Sequence, residues 1–140
     1  HEAFILYFPA VKVGKKNTLL ISWFFIVFFA VMIVVFADRI YTVYIFSLTI
    51  VALLFSLFDR KRLISHFYIT FLLILIPFFV VNGILTGTLI EEEVVWYNNA
   101  ENLGIRVLTI PIEDFAYGFS LILFNLQLIQ ALKTRFIKNK

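Results

Sequence analysis

Four stretches without a charged residue dominate this chain: residues 18–37, 40–58, 63–90 (with His66 neutral) and 115–132. They are 20, 19, 28 and 18 residues long. A helix rises about 1.5 Å per residue, so about 20 apolar residues cross the hydrocarbon core of a bilayer. Hydrophobic residues make up 62% of the 140 positions, where a soluble domain is nearer half. A chain this short has too little interior to hide that much apolar surface, so lipid must be its solvent. The expected fold is all-α: an integral membrane helical bundle with four transmembrane helices, forming a single membrane domain over residues 1–140. The third run is long enough to tilt or to project beyond the bilayer. Pro111 suits the first turn of a helix and extends the fourth span to 111–132. Residues 3–10 are apolar but too short to span. They read as the end of a preceding helix, and the chain as a fragment of a longer protein. A cleaved signal peptide would need a charged start and a small-residue cleavage site, and neither is present.

The links carry the charge. Asp38 and Arg39 alone separate the first two spans, so those form a tight antiparallel hairpin. Residues 59–62 (DRKR) join the second to the third, and residues 91–110 form the one long connection, of a length that is often functional. Ten of the twelve basic residues fall on the face that precedes the first span: Lys12, Lys15, Lys16, Arg60, Lys61, Arg62, Lys133, Arg135, Lys138 and Lys140. Only Arg39 and Arg106 lie on the other face. The positive-inside rule makes the basic face cytoplasmic, and with it the C-terminus, in a multi-pass protein of the cell membrane. Seven of the nine acids lie opposite: Asp38, Glu91, Glu92, Glu93, Glu101, Glu113 and Asp114. Basic residues at membrane edges are explained by topology, so nucleic acid is not an expected partner.

The most unusual segment is IPIEDFAYGF, residues 110–119, which sets two adjacent carboxyls at the entrance of a membrane helix. Glu113 and Asp114 have two readings. As caps, they sit in interfacial water and complement the positive end of the helix. As functional groups, they are carboxyls at membrane depth, protonated or paired and facing an internal cavity. Helical steps from them reach Tyr117, Ser120 and Gln127, and Gly118 and Asn125, a polar stripe expected to face protein rather than lipid. Asn82 lies in an apolar run and needs a partner. Pro77 is expected to kink that helix, and Gly83 and Gly87 have the spacing of close helix contact. Trp96 and Tyr97 fit an aromatic belt at the headgroups, or alternatively the wall of a pocket that steadies a cation.

Several chemistries are excluded. The chain has no cysteine, no Gly-rich phosphate loop and no HExxH motif, and the only histidines, His1 and His66, lie away from the acids. A carboxylate-rich metal site of the kind that holds magnesium diphosphate is the remaining alternative, but the paired DxxxD spacing it uses is absent, so no metal site is expected.

The order NGILTG (82–87), VVWYN (94–98) and LGIRVLTIPIEDFAYGF (103–119) resembles the small membrane lycopene cyclases of the heterodimeric or fused type. In that family each of two repeats ends in a Pro-x-Glu-Glu or Pro-x-Glu-Asp motif at the start of a membrane helix, matched here by Pro111, Ile112, Glu113 and Asp114. The resemblance runs from about residue 82 to 125. It implies that this chain is the C-terminal repeat, that residues 1–9 end the last helix of the first repeat, and that the other repeat or subunit is a partner. The implied reaction is redox-neutral carotenoid biosynthesis. A carboxylic acid protonates the terminal double bond of linear lycopene, the next double bond attacks the cation to close a six-membered ring, and proton loss leaves a β-ring. For that reaction Glu113 is the expected acid, with Asp114 polarising it or acting as base, and the reverse assignment stays open. Trp96, Tyr97 and Tyr117 are then candidates for cation stabilisation, and Asn82 for orienting a carboxyl. The competing reading is a non-enzymatic membrane subunit, a carotenoid-binding or transport component, in which the acids are caps and the polar stripe is a packing face.

Overall fold

The computed structural model describes residues 1–59, 63–88 and 90–137. Five basic residues used in the charge argument, Arg60, Lys61, Arg62, Lys138 and Lys140, lie outside them. The described elements are a short helix α1 (Glu2–Tyr7), four long helices α2 (Lys15–Val35), α3 (Ile40–Phe58), α4 (Leu63–Leu85) and α5 (Glu113–Ile137), and a small hairpin of β1 (Arg106–Val107) and β2 (Ile110–Pro111). All four long helices are long and apolar enough to cross a membrane.

The side chains are distributed inside-out. On α2 the buried residues are Thr18, Ser22 and Ile26, one per turn, while Leu20, Phe24, Val27, Val31 and Val34 face outward. With lipid outside there is no hydrophobic reason to bury the large side chains, so small residues that allow close helix approach take the inner stripe. On the central helix α3 the buried face mixes small residues, Thr42, Thr49, Ala52 and Ser56, with the larger Ile45, Phe46 and Leu53. Helix α3 packs most extensively, against α2 on one side and α5 on the other, whereas α4 leans more loosely on α5 and α2. Successive cross-links between α3 and α5 ascend together. Thr49 donates to the Ala116 carbonyl, Gln127 to that of Ala52, and Gln130 to Asp59. These two helices therefore run parallel, with both N-termini at one end of the bundle. At the other end, Val13 N–H bonds the Ser65 carbonyl and Lys133 pairs with Glu2.

Two helix boundaries, one glycine's role and one helix face differ from the sequence expectation. Helix α4 stops at Leu85, short of residue 90. Gly87 has φ +95°, and the N–H groups of Thr88 and Gly87 close back on the carbonyls of Gly83 and Ile84. This is a Schellman stop, which places a left-handed glycine just past the last turn. Gly87 is thus a helix terminator, not half of a helix-packing pair. The close contact between α4 and α5 is made by Gly118, whose missing Cβ would lie 3.1 Å from the Phe78 ring. Pro111 is not in the first helical turn. It lies in β2 opposite Arg106, with Val107 opposite Ile110, and α5 starts two residues later. Its ring needs no ladder N–H on this short edge strand. On α5, Asn125 is exposed and bonds its own helix at Leu121, so the inward polar stripe keeps Ser120 and Gln127 but not Asn125.

The long connection is pinned at many points. Thr109, in the β-turn, makes hydroxyl bonds of 2.6 Å to both Thr86 and Thr88 beyond the end of α4. Arg106 donates to the Thr109 carbonyl and to Asn99 Oδ1. Arg39 donates to the Asn99 carbonyl, and Tyr41 N–H bonds that of Glu101. The connection is therefore folded over the N-termini of α3 and α5.

Candidate active site: a buried carboxyl pair beside an apolar cleft

Beneath this cap the first turn of α5 meets the first turn of α3. Glu113 is 0% exposed and Asp114 3%. Interfacial caps would be wet, so the capping reading does not describe these two side chains. Glu113 Oε1 accepts from the Thr42 hydroxyl at 2.6 Å and from the Leu103 N–H at 2.7 Å. Its Oε2 is buried without a hydrogen-bond partner among the described residues. Asp114 is held differently, since Oδ1 accepts from the Tyr41 phenol at 2.6 Å and Oδ2 from the Tyr97 phenol at 2.7 Å. The positive ends of two parallel helices and a tight set of donors thus surround two adjacent carboxyls.

The outer side of the pair is polar. The Tyr41 and Tyr97 rings lie 5.7 Å apart, and the Arg106 guanidinium sits 5.8 Å from the Tyr97 ring centre. Burial, and then the hydrogen bond to Asp114, push the Tyr97 phenol above its ordinary range. It therefore stays a donor at physiological pH.

The inner side is apolar. A cleft of about 480 Å³ lies among α2, α3, α4, α5 and the connection, within the about 300–1,000 Å³ typical of small-molecule sites. Leu103, whose N–H holds Glu113, lines it, as do Ile112 and Ala116 on either side of the carboxyl pair. Deeper in, Phe28, Phe29, Phe71, Phe115 and Phe119 dominate its wall. The cleft exists because α4 is held off α3, while the connection closes the end near the acids.

Of the residues expected from sequence, Glu113, Asp114 and Tyr97 come together. Tyr97 does so as a hydrogen-bond donor to Asp114. Trp96 is 72% exposed and Tyr117 41%, and none of Glu113, Asp114, Trp96, Tyr97 and Tyr117 lines the cleft, the two acids lying just behind its lining residues Leu103, Ile112 and Ala116. Trp96 has the exposure of a belt residue, and Tyr117 is on the outward face of α5, because a step of four from Glu113 drifts around the helix. Asn82 donates to the Phe78 carbonyl one turn back, so this bond is local to α4 and not to either carboxyl. Sequence reasoning missed Tyr41, Thr42 and the Leu103 N–H. It also missed the phenylalanine wall, although 18 phenylalanines in 140 residues were its visible trace.

Fold and site define a polytopic membrane protein that holds a buried carboxyl pair against an aromatic, apolar cleft. Residues 38–132 match the lycopene cyclase family, and the chain belongs to that family, among the enzymes of carotenoid cyclisation. The match takes in α3 with Tyr41 and Thr42, well ahead of the segment in which the sequence resemblance was legible. Among curated proteins and among solved structures, no match to the chain was found.

Proposed function

We propose that this chain closes the ends of linear lycopene to β-rings by redox-neutral acid catalysis. The observation that carries this reading is the placement of two buried carboxyls beside an apolar cleft walled by phenylalanines. Glu113 acts as the acid, because its Oε2 is the carboxyl oxygen at which no donor of the described residues is aimed. The proton passes from Glu113 to the terminal carbon–carbon double bond and leaves a tertiary cation. The next double bond supplies the electron pair for the new ring bond, and the cation moves to the far end of that double bond. Loss of a proton from the adjacent carbon forms the ring double bond. That proton returns to the carboxyl pair, with Asp114 as the nearby base or negative partner, and the product is an isomer of the substrate. The phenylalanine faces steady the cations and keep water from trapping them. No cofactor is called for, since no electron enters or leaves.

The chain is further read as the second of two repeats, active together with the other repeat or subunit. It is placed in the cell membrane with its C-terminus cytoplasmic, on the ten-to-two split of basic residues. Expression in lycopene-accumulating cells, with the other repeat supplied, is the direct test. Conversion to γ- or β-carotene is expected, whereas lycopene left unchanged by a well-assembled pair would sink the proposal and favour the non-enzymatic subunit. A reporter fused after Lys140 should read cytoplasmic; a signal from the opposite side would reverse the orientation.

A further inference from the structure

We propose that Tyr41 and Thr42, consecutive residues on the first turn of α3, are positioning residues that divide the labour of the carboxyl pair: Thr42 fixes Glu113 as donor and Tyr41 fixes Asp114 as its unprotonated neighbour. This rests on the acid-catalysed reading of the same site.

The lone pairs of the two carboxyls are occupied differently. Each carboxyl oxygen has about two acceptor positions. On Glu113 both positions of Oε1 are filled, one by the Thr42 hydroxyl at 2.6 Å and one by the Leu103 N–H at 2.7 Å. A proton on Glu113 therefore resides on Oε2, which has no partner among the described residues. On Asp114 each oxygen already accepts a phenol O–H. A proton on either oxygen would make it a weaker acceptor for its phenol, so the two donors favour the ionised form and match Asp114 to the acceptor role.

Thr42 departs from what threonine does elsewhere in these helices. Thr18, Thr49 and Thr70 each donate to the carbonyl four residues back, the usual satisfaction of a hydroxyl in an apolar helix. Thr42 lies in the first turn, where no helical carbonyl stands beneath it, and gives its proton to Glu113. Neighbouring residues on a helix point about 100° apart. One turn of α3 thus reaches two consecutive residues on the parallel helix α5, and the order is crossed: 41 to 114 and 42 to 113. The hydroxyls of Tyr41 and Thr42 are both spent on the carboxyls, so both residues act through the carboxyls.

The test uses the natural full-length protein, assayed for cyclised product over a range of lycopene concentrations in membranes. Thr42→Val keeps the shape and removes the donor; Thr42→Ser restores it. Thr42→Val is expected to lower turnover at saturating lycopene about tenfold or more, the worth of one hydrogen bond to a charged or reacting group, with KM unchanged. Thr42→Ser should stay within about threefold of the parent, a rescue that a purely packing role would not show. Tyr41→Phe should also lower kcat, but less, because Tyr97 still holds Asp114. Should Thr42→Val fail to assemble, the contrast of Thr42→Ser with Tyr41→Phe carries the test. Parental kcat in Thr42→Val or in Tyr41→Phe overturns the positioning role of that residue while an active parent leaves the acid reading standing. Full activity of Glu113→Gln instead removes the acid reading itself.

Discussion

Glu113→Gln is the substitution for which the structure predicts the widest separation between activity and stability. The glutamine carbonyl can occupy the place of Oε1 and keep both of its donors, Thr42 and the Leu103 N–H. The amide nitrogen takes the place of Oε2, which has no partner to lose. One unpartnered polar atom replaces another, so the stability change should stay below about 1 kcal/mol, the net worth of a single neutral hydrogen bond. Catalysis should fall about 100- to 10,000-fold, the usual contribution of a positioned general acid. Asp114→Asn should behave oppositely in the melt. Both Asp114 oxygens accept phenol protons, and the amide nitrogen of asparagine accepts none, so one tyrosine loses its acceptor inside the protein. That costs about 1.5–3 kcal/mol. The assay is paired: pigment extraction with chromatography for cyclised product, and thermal unfolding of the detergent-solubilised protein for stability. Substantial cyclisation by Glu113→Gln would refute its role as acid. A Glu113→Gln melt as depressed as that of Asp114→Asn would refute the hydrogen-bond inventory on which the assignment of roles depends.

Two further substitutions test the frame around the site. At Gly118 an added Cβ would meet the Phe78 ring at 3.1 Å, so Gly118→Ala should be mild as the ring gives way slightly. Gly118→Leu should cost about 1–3 kcal/mol by forcing α4 from α5, read as a lower melting temperature; equal melts would mean the helices do not depend on this contact. Gly87 has φ +95°, with Glu93 Cβ 3.3 Å from the position of an added Cβ. Gly87→Ala should cost about 1–3 kcal/mol of backbone strain and loosen the connection, seen as faster amide exchange over residues 90–112; an unaltered exchange pattern would count against the helix stop.

The spans were legible because a bilayer imposes a length and a polarity that any chain must meet locally. Residues 40–58 could be bounded from charge alone, since Arg39 and Asp59 stand at the two ends of α3. The boundary at α4 was not legible in the same way: residues 86–90 are uncharged, and only the left-handed Gly87 ends the helix there. Hydropathy does not report a backbone dihedral. The same holds for Pro111, which reads as a helix start until a hairpin partner, Arg106, is known.

The acids show the division most clearly. Sequence alone placed Glu113 and Asp114 at the entrance of a membrane helix, on the face opposite most of the basic residues, because charge and hydropathy are properties of contiguous residues. It left open whether they cap or react. Their burial was decided by groups about 70 residues away in the chain, Tyr41 and Thr42, and by a connection folded over them. In sequence Thr42 is one more β-branched residue of an apolar run, and Phe71 and Phe119 are two among many phenylalanines. Burial, hydrogen-bond partners and the walls of a cleft arise from residues distant in sequence that packing brings together, so they exist only once α3, α4, α5 and the connection have assembled.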